Sequence, residues 1–126
     1  MPDPQPHAVP AITPECQVEL DRLAASAPGE WAAIEQAVEV LRAHGGRAPF
    51  PWSSAIRGKG APGLRELRPR AGRSPWRLLY RQSGAVLVVL ALAPEATADP
   101  RGFRRAVATA NSRWERIHVE VDHGNR

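Results

Sequence analysis

Apolar residues recur along this chain first at helical spacing and then at strand-like spacing. In residues 30–44, Trp31, Ile34, Val38 and Leu41 fall at i, i+3, i+7 and i+10, a stripe down one side of an α-helix that Gly45-Gly46 stop. The acids Glu30, Glu35 and Glu39 come early or mid-helix, and Arg42 and His44 come late, as a helix dipole favours. Residues 15–26 carry Val18, Leu20, Leu23 and Ala24 at helix-compatible spacing behind Thr13-Pro14, an N-cap and a first-turn proline. Ala27-Pro28-Gly29 then breaks the helix. Residues 1–14, rich in proline, predict a flexible arm in which 7–12 can supply a short edge strand.

After residue 46 the pattern changes. Residues 47–63 are rich in Pro and Gly and read as loop. Residues 64–68, Leu-Arg-Glu-Leu-Arg, alternate as a strand with Leu64, Glu66 and Arg68 on one face. A turn-rich connector, 69–75, leads to a second strand at 76–82. Ser83-Gly84 turns the chain into 85–92, whose unbroken Val/Leu content predicts a central strand buried on both faces. These strands lie too close in sequence for parallel crossovers, so they pair antiparallel. Phe103, Val107, Ala110, Trp114 and Ile117 then mark a last helix. The pattern predicts one α+β domain over 15–118: an N-terminal helical hairpin, a small antiparallel sheet and a C-terminal helix, with a frayed tail at 119–126.

Composition narrows the setting. The 126 residues fit one domain. A lone cysteine, Cys16, excludes an internal disulfide framework and a Cys-based zinc site, and the expected home is a reducing cytoplasm. No apolar run reaches bilayer-spanning length, no secretion signal is legible, and no membrane partner, metal or cofactor is expected. Charge is more informative. Residues 57–92 hold Arg57, Lys59, Arg65, Arg68, Arg70, Arg73, Arg77 and Arg81 against one acid, Glu66. The local charge of +7 exceeds the chain's net +4, leaving the remainder at −3. A cationic sheet surface suits a polyphosphate such as RNA, or an acidic protein. Sixteen arginines against one lysine also fit a GC-rich coding sequence, so an arginine is not by itself evidence of a role.

The order Leu41…Gly45, Pro49–Pro51, Gly63-Leu64-Arg65-Glu66-Leu67-Arg68, Trp76-Arg77-Leu78-Leu79-Tyr80 and an apolar strand at 86–92 resembles the RelE/ParE toxin superfamily, most closely its HigB-like, phage-derived branch. The likeness covers residues 30–116. It implies a RelE-like fold and a type II toxin, a metal-independent mRNA endonuclease working on the ribosome. Its partners would be mRNA, the ribosome and a cognate antitoxin, a small helix-turn-helix protein. In such cleavage a 2′-hydroxyl attacks the adjacent phosphorus, and guanidinium groups suit the charge that builds on the phosphorane. The resemblance assigns Arg68 and Arg77 to that task, with Lys59 as a base of lowered pKa and Tyr80 as a proton donor. Arg57, Arg65, Arg73, Arg81, Arg104 and Arg105 are the expected RNA contacts. One departure stands out: where the branch carries a lysine pair, this chain has Pro94-Glu95, followed by Asp99-Pro100 as a helix opening. That favours a rival, a ParE-like gyrase poison acting by binding; a third reading is a catalytically silent RNA- or antitoxin-binding module. Trp31, Trp76, Phe103 and Trp114 fall on apolar faces and read as core. Trp52, in a loop, is a possible partner contact, and Cys16 reads as structural.

Overall fold

Thr13 starts the first helix as its spacing predicts: its hydroxyl accepts the Cys16 N–H at 3.3 Å, and Pro14 occupies the first turn. The computed structural model describes residues 8–58 and 60–124, side chains as far as residue 117. In order, β1 (Val9–Ile12), α1 (Pro14–Ser26), α2 (Pro28–Ala43), β2 (Ser53–Ala55), β3 (Arg65–Leu67), a 3-10 turn (Pro69–Gly72), β4 (Trp76–Ser83), β5 (Val86–Pro94) and α3 (Pro100–Gly124) follow one another. The class is the expected α+β, with the helical hairpin on one face of the sheet and α3 on the other.

The strands lie in the order β1-β5-β4-β3-β2. β2–β3, β3–β4 and β4–β5 pair antiparallel, as their short connections require. β1 pairs parallel with β5, so the sheet is mixed rather than wholly antiparallel. The long route through α1, α2 and the other strands makes that geometry available. The N-terminal arm is therefore structured from Val9 onward. Within the stretch expected as loop, Ser53–Ala55 forms a strand because β3 offers it a paired edge, despite weak β propensity of its own. The tight turn is Gly84-Ala85, one residue later than expected, and α3 runs on to Gly124 through the expected tail. Only Ala27 separates α1 from α2, since Pro28 opens α2 as a first-turn residue.

Two cores result. Ile34, Ala37 and Leu41 of α2 pack with Cys16, Leu20 and Leu23 of α1 onto Leu67, Leu78, Tyr80, Leu87 and Val89. Across the sheet, Ala106 and Ala110 of α3 pack on Leu64, Leu79, Leu90, Ala91 and Ala93, with Phe103, Val107, Trp114 and Ile117 at the margin. A bulge serves both. Leu79 pairs with Ala91 and Tyr80 with Val89, so Leu90 is the extra residue, and Leu90 and Ala91 both join the α3 side. Beyond β1, Glu19 and Arg113 finish the edge of β5. The Leu92 N–H donates to the Glu19 carboxylate at 3.1 Å and Arg113 donates to the Leu90 carbonyl at 2.7 Å, while the two side chains pair with each other. Trp52 packs partly buried against the hairpin-side core. Burial pushes the Cys16 thiol up to about 12, and the residue is structural. No helix among the described residues is long and apolar enough to cross a membrane.

Candidate nucleic-acid interface

Strand alternation divides the expected site residues between the two faces of the sheet. Arg65 and Tyr80 are register partners and face the helical hairpin. Tyr80 is fully buried; its hydroxyl donates to the Gly46 carbonyl at 3.0 Å and lies 2.7 Å from the Ser53 hydroxyl. Arg65 donates to Tyr80 Oη at 3.2 Å and to Ser53 Oγ at 2.9 Å. These four residues knit the loop after α2 to β2, β3 and β4.

On the α3 side, Arg77 is 3 % exposed, a buried charge that must be satisfied from within. Its guanidinium donates to the carbonyls of Ser74 at 2.7 Å, Trp76 at 2.9 Å and Gly72 at 3.2 Å. Burial lowers its pKa from the usual arginine value, and Arg68 nearby adds to the shift. The connector around it is strained, for Arg70 and Ala71 both lie in the left-handed region, at φ 54° and 53°. Each such non-glycine residue costs about 1–2 kcal/mol. Arg77 holds the inward carbonyls of this connector, while Arg70 ties its outer side to Glu30. Ser74 Oγ adds a 2.7 Å bond to Glu30, which with Arg70 holds that carboxyl below its ordinary pKa. Arg73 is exposed on the same connector, its Nε on the Arg70 carbonyl at 3.2 Å.

Arg68 adjoins Arg77 and shares its face. It pairs with Glu66 at 2.9 Å, and its guanidinium carbon lies over the Phe50 ring, 5.3 Å from the centroid. Its Nε is buried without a hydrogen-bond partner, which costs about 1–3 kcal/mol. Glu95, where the resembling branch has a lysine, caps the turn before α3 by accepting the N–H groups of Thr97 and Ala98 at 2.9 Å. Those bonds, Thr97 first, hold its pKa low. Asp99 caps α3 through the Gly102 N–H at 2.9 Å.

Further along this face a cleft of about 580 Å³ opens between the loop after β2 and α3. Arg57 stands on one lip and Arg104 on the other, over a floor that includes Ile56, Ala61, Phe103 and Val107. Both arginines are exposed, and neither forms an ion pair among the described residues. Asn111 donates to the Gly60 carbonyl and closes the loop onto α3. Past that tie lies a smaller cleft of about 260 Å³ where Arg81 stacks on Trp114, 4.6 Å from the ring centroid. Gly63, at φ 77°, lets the backbone pass this arginine: a Cβ there would stand 2.7 Å from Arg81 Nη2. Arg105 is exposed on α3. Lys59 lies outside the described residues.

The structure thus brings Arg57, Arg68, Arg81 and Arg104 to one face, with Arg77 buried beneath. It leaves Arg65 and Tyr80 on the other. Sequence reasoning missed Phe50 and Asn111. Phe50 had a signal: an aromatic between two prolines belongs to no apolar stripe that would bury it. Asn111 had none, because its partner is a loop carbonyl distant in sequence. No family model, curated protein or solved structure matches the chain.

Proposed function

We propose that this chain is the toxin of a type II toxin–antitoxin pair, a cytoplasmic protein that engages mRNA on the ribosome and cuts it without a metal. The observation that carries the reading is the cleft between the Arg57 loop and α3, flanked by two exposed guanidiniums that pair with no carboxylate among the described residues. A single strand laid there meets cations on both sides and apolar surface beneath, the combination that single-stranded binding requires. In cleavage, Arg57 and Arg104 would stabilise the phosphorane as the 2′-oxygen displaces the 5′-oxygen, and Lys59, two residues on from Arg57 in sequence, would take the 2′-hydroxyl proton. The antitoxin, under this reading, covers the same face with an acidic segment.

A second reading, binding without cleavage, either by a ParE-like gyrase poison or by a catalytically silent RNA- or antitoxin-binding module, draws on a specific observation. Tyr80 and Arg77 are both buried and spend their polar groups on internal partners.

Expression without the antitoxin should arrest growth, and purified protein should cut mRNA only with ribosomes present. Arg57→Ala with Arg104→Ala should abolish arrest without lowering the melting temperature, both side chains being exposed. RNA affinity of the double variant should also lose salt dependence, by about 0.7 in the slope of log K against log salt for each phosphate contact removed. Arrest with intact mRNA and inhibited gyrase would select the second reading. Undiminished growth at normal soluble expression would remove the toxin reading altogether.

A further inference from the structure

Phe50 is the most exposed large apolar side chain among the described residues, at 73 %. It projects from the loop ahead of β2 on the side where Arg68 rises from the end of β3, and the Arg68 guanidinium covers part of its ring. Arg68 is held there imperfectly. Glu66 engages only Nη1, while Nε is buried and without an acceptor. Gly72 packs against the guanidinium so closely that a Cβ there would lie 2.9 Å from Nη2. A guanidinium with an orphaned donor, beside an aromatic ring open to solvent, is suited to a planar group followed by an oxyanion. An unpaired nucleobase with its own phosphate has that form.

Resting on the RNA reading above, we propose that Phe50 and Arg68 form a base-stacking subsite for single-stranded RNA. The base lies on the open part of the Phe50 ring, and its phosphate draws Arg68 off Glu66 and accepts from Nε and a terminal nitrogen together. The subsite belongs to the same sheet face as the cleft. Leu64, beside Ile56 of the cleft floor, and Arg68 flank β3 four residues apart, about 13 Å at strand rise, which a few nucleotides span. Glu66 sets the selectivity. It repels a phosphate that arrives without a stacking base, so free phosphate and duplex backbone gain little from this corner.

The test uses fluorescence anisotropy on the full chain with three labelled probes of equal length: a single-stranded RNA octamer, the same octamer carrying abasic sites, and an RNA duplex. Phe50→Ala should weaken the octamer about fivefold to a hundredfold and leave the duplex unchanged. Phe50→Trp should retain or tighten octamer binding, and the abasic strand should bind weakly and ignore both changes. Because Phe50 is exposed, its replacement should leave the melting temperature as it was. Equal weakening on all three probes, or none, overturns the subsite, as does a Phe50→Ala variant that loses only its protein partner. If Arg57→Ala with Arg104→Ala weakens the octamer while Phe50→Ala does not, the subsite falls and the cleft stands. If the unaltered protein binds no RNA, both fall.

Discussion

Arg77 illustrates how one residue type acquires opposite meanings. In sequence it stands between Trp76 and Leu78 as a solvent-facing strand arginine would, and nothing local marks it as buried. What decides its fate is the connector before it, which passes through left-handed backbone at Arg70 and Ala71 and then presents the carbonyls of Gly72 and Ser74 to the guanidinium. Arg77→Ala should leave three carbonyls without their donor and cost about 3 kcal/mol, a fall of about 12 °C in melting temperature for a domain of this size. Arrest should decline only as folded protein declines, which a thermal melt paired with activity per folded molecule will measure. Glu30 anchors the same connector and titrates. Its folded pKa lies below the ordinary 4.5, so its bonds to Ser74 and Arg70 stabilise the fold above about pH 4.5 and are lost as pH falls through the folded value. Glu30→Gln should therefore melt earlier than the parent near pH 7, and the gap should close toward pH 3. A gap independent of pH would mean that the carboxylate's charge contributes nothing.

At the level of elements, legibility followed periodicity. α1, α2, β4, β5 and α3 each carry a full stripe or run of apolar residues and each formed, the first four close to their expected bounds and α3 beyond its stripe through the expected tail. β2 was hidden because Ser-Ser-Ala has no strand signature and exists through its partner's edge. The parallel docking of β1 was hidden because pairing partners leave no mark at so long a range. So was the Glu19–Arg113 pair, whose partners stand 94 positions apart on different helices. That pair takes over the edge of β5 where β1 stops, satisfying a backbone donor and a backbone acceptor at once. Glu19→Ala should cost about 2 kcal/mol, since it leaves the Leu92 N–H without its acceptor and the half-buried Arg113 charge without its carboxylate. Hydrogen exchange should report the loss locally, with the Leu92 amide exchanging faster while amides in β3 keep their protection. The candidate face was legible in kind and not in detail. The charge concentration marked the sheet, but which arginines stay free depended on alternation, on the bulge and on the turn at 69–72.

For the whole molecule, the division of labour between faces follows from the two cores. The hairpin side is sealed by α1 and α2, and its polar residues Arg65, Tyr80 and Ser53 satisfy one another. The α3 side has one helix over a five-stranded sheet, so α3 covers β4 and β5 and leaves the surface over β2 and β3 uncovered. Exposed cations gather where cover is lacking. The cleft opens beside that surface, where the loop after β2 faces α3, without any element devoted to it.

The parallel strand at the edge bears on how the chain assembles in time. Val9 meets Val86, 77 positions later, whereas β4 and β5 meet across a two-residue turn. Loop closure makes the hairpin early and the docking of β1 late. On a ribosome, the first strand emerges long before its partner and waits. Pro10 suits that wait: Val9 and Thr13 donate toward β5, so the missing N–H of Pro10 falls on the outward edge and interrupts it as a template for stray pairing. Pulse-labelling during refolding should find the amides of β4 and β5 protected before that of Thr13. Simultaneous protection would mean that the sheet closes in one step.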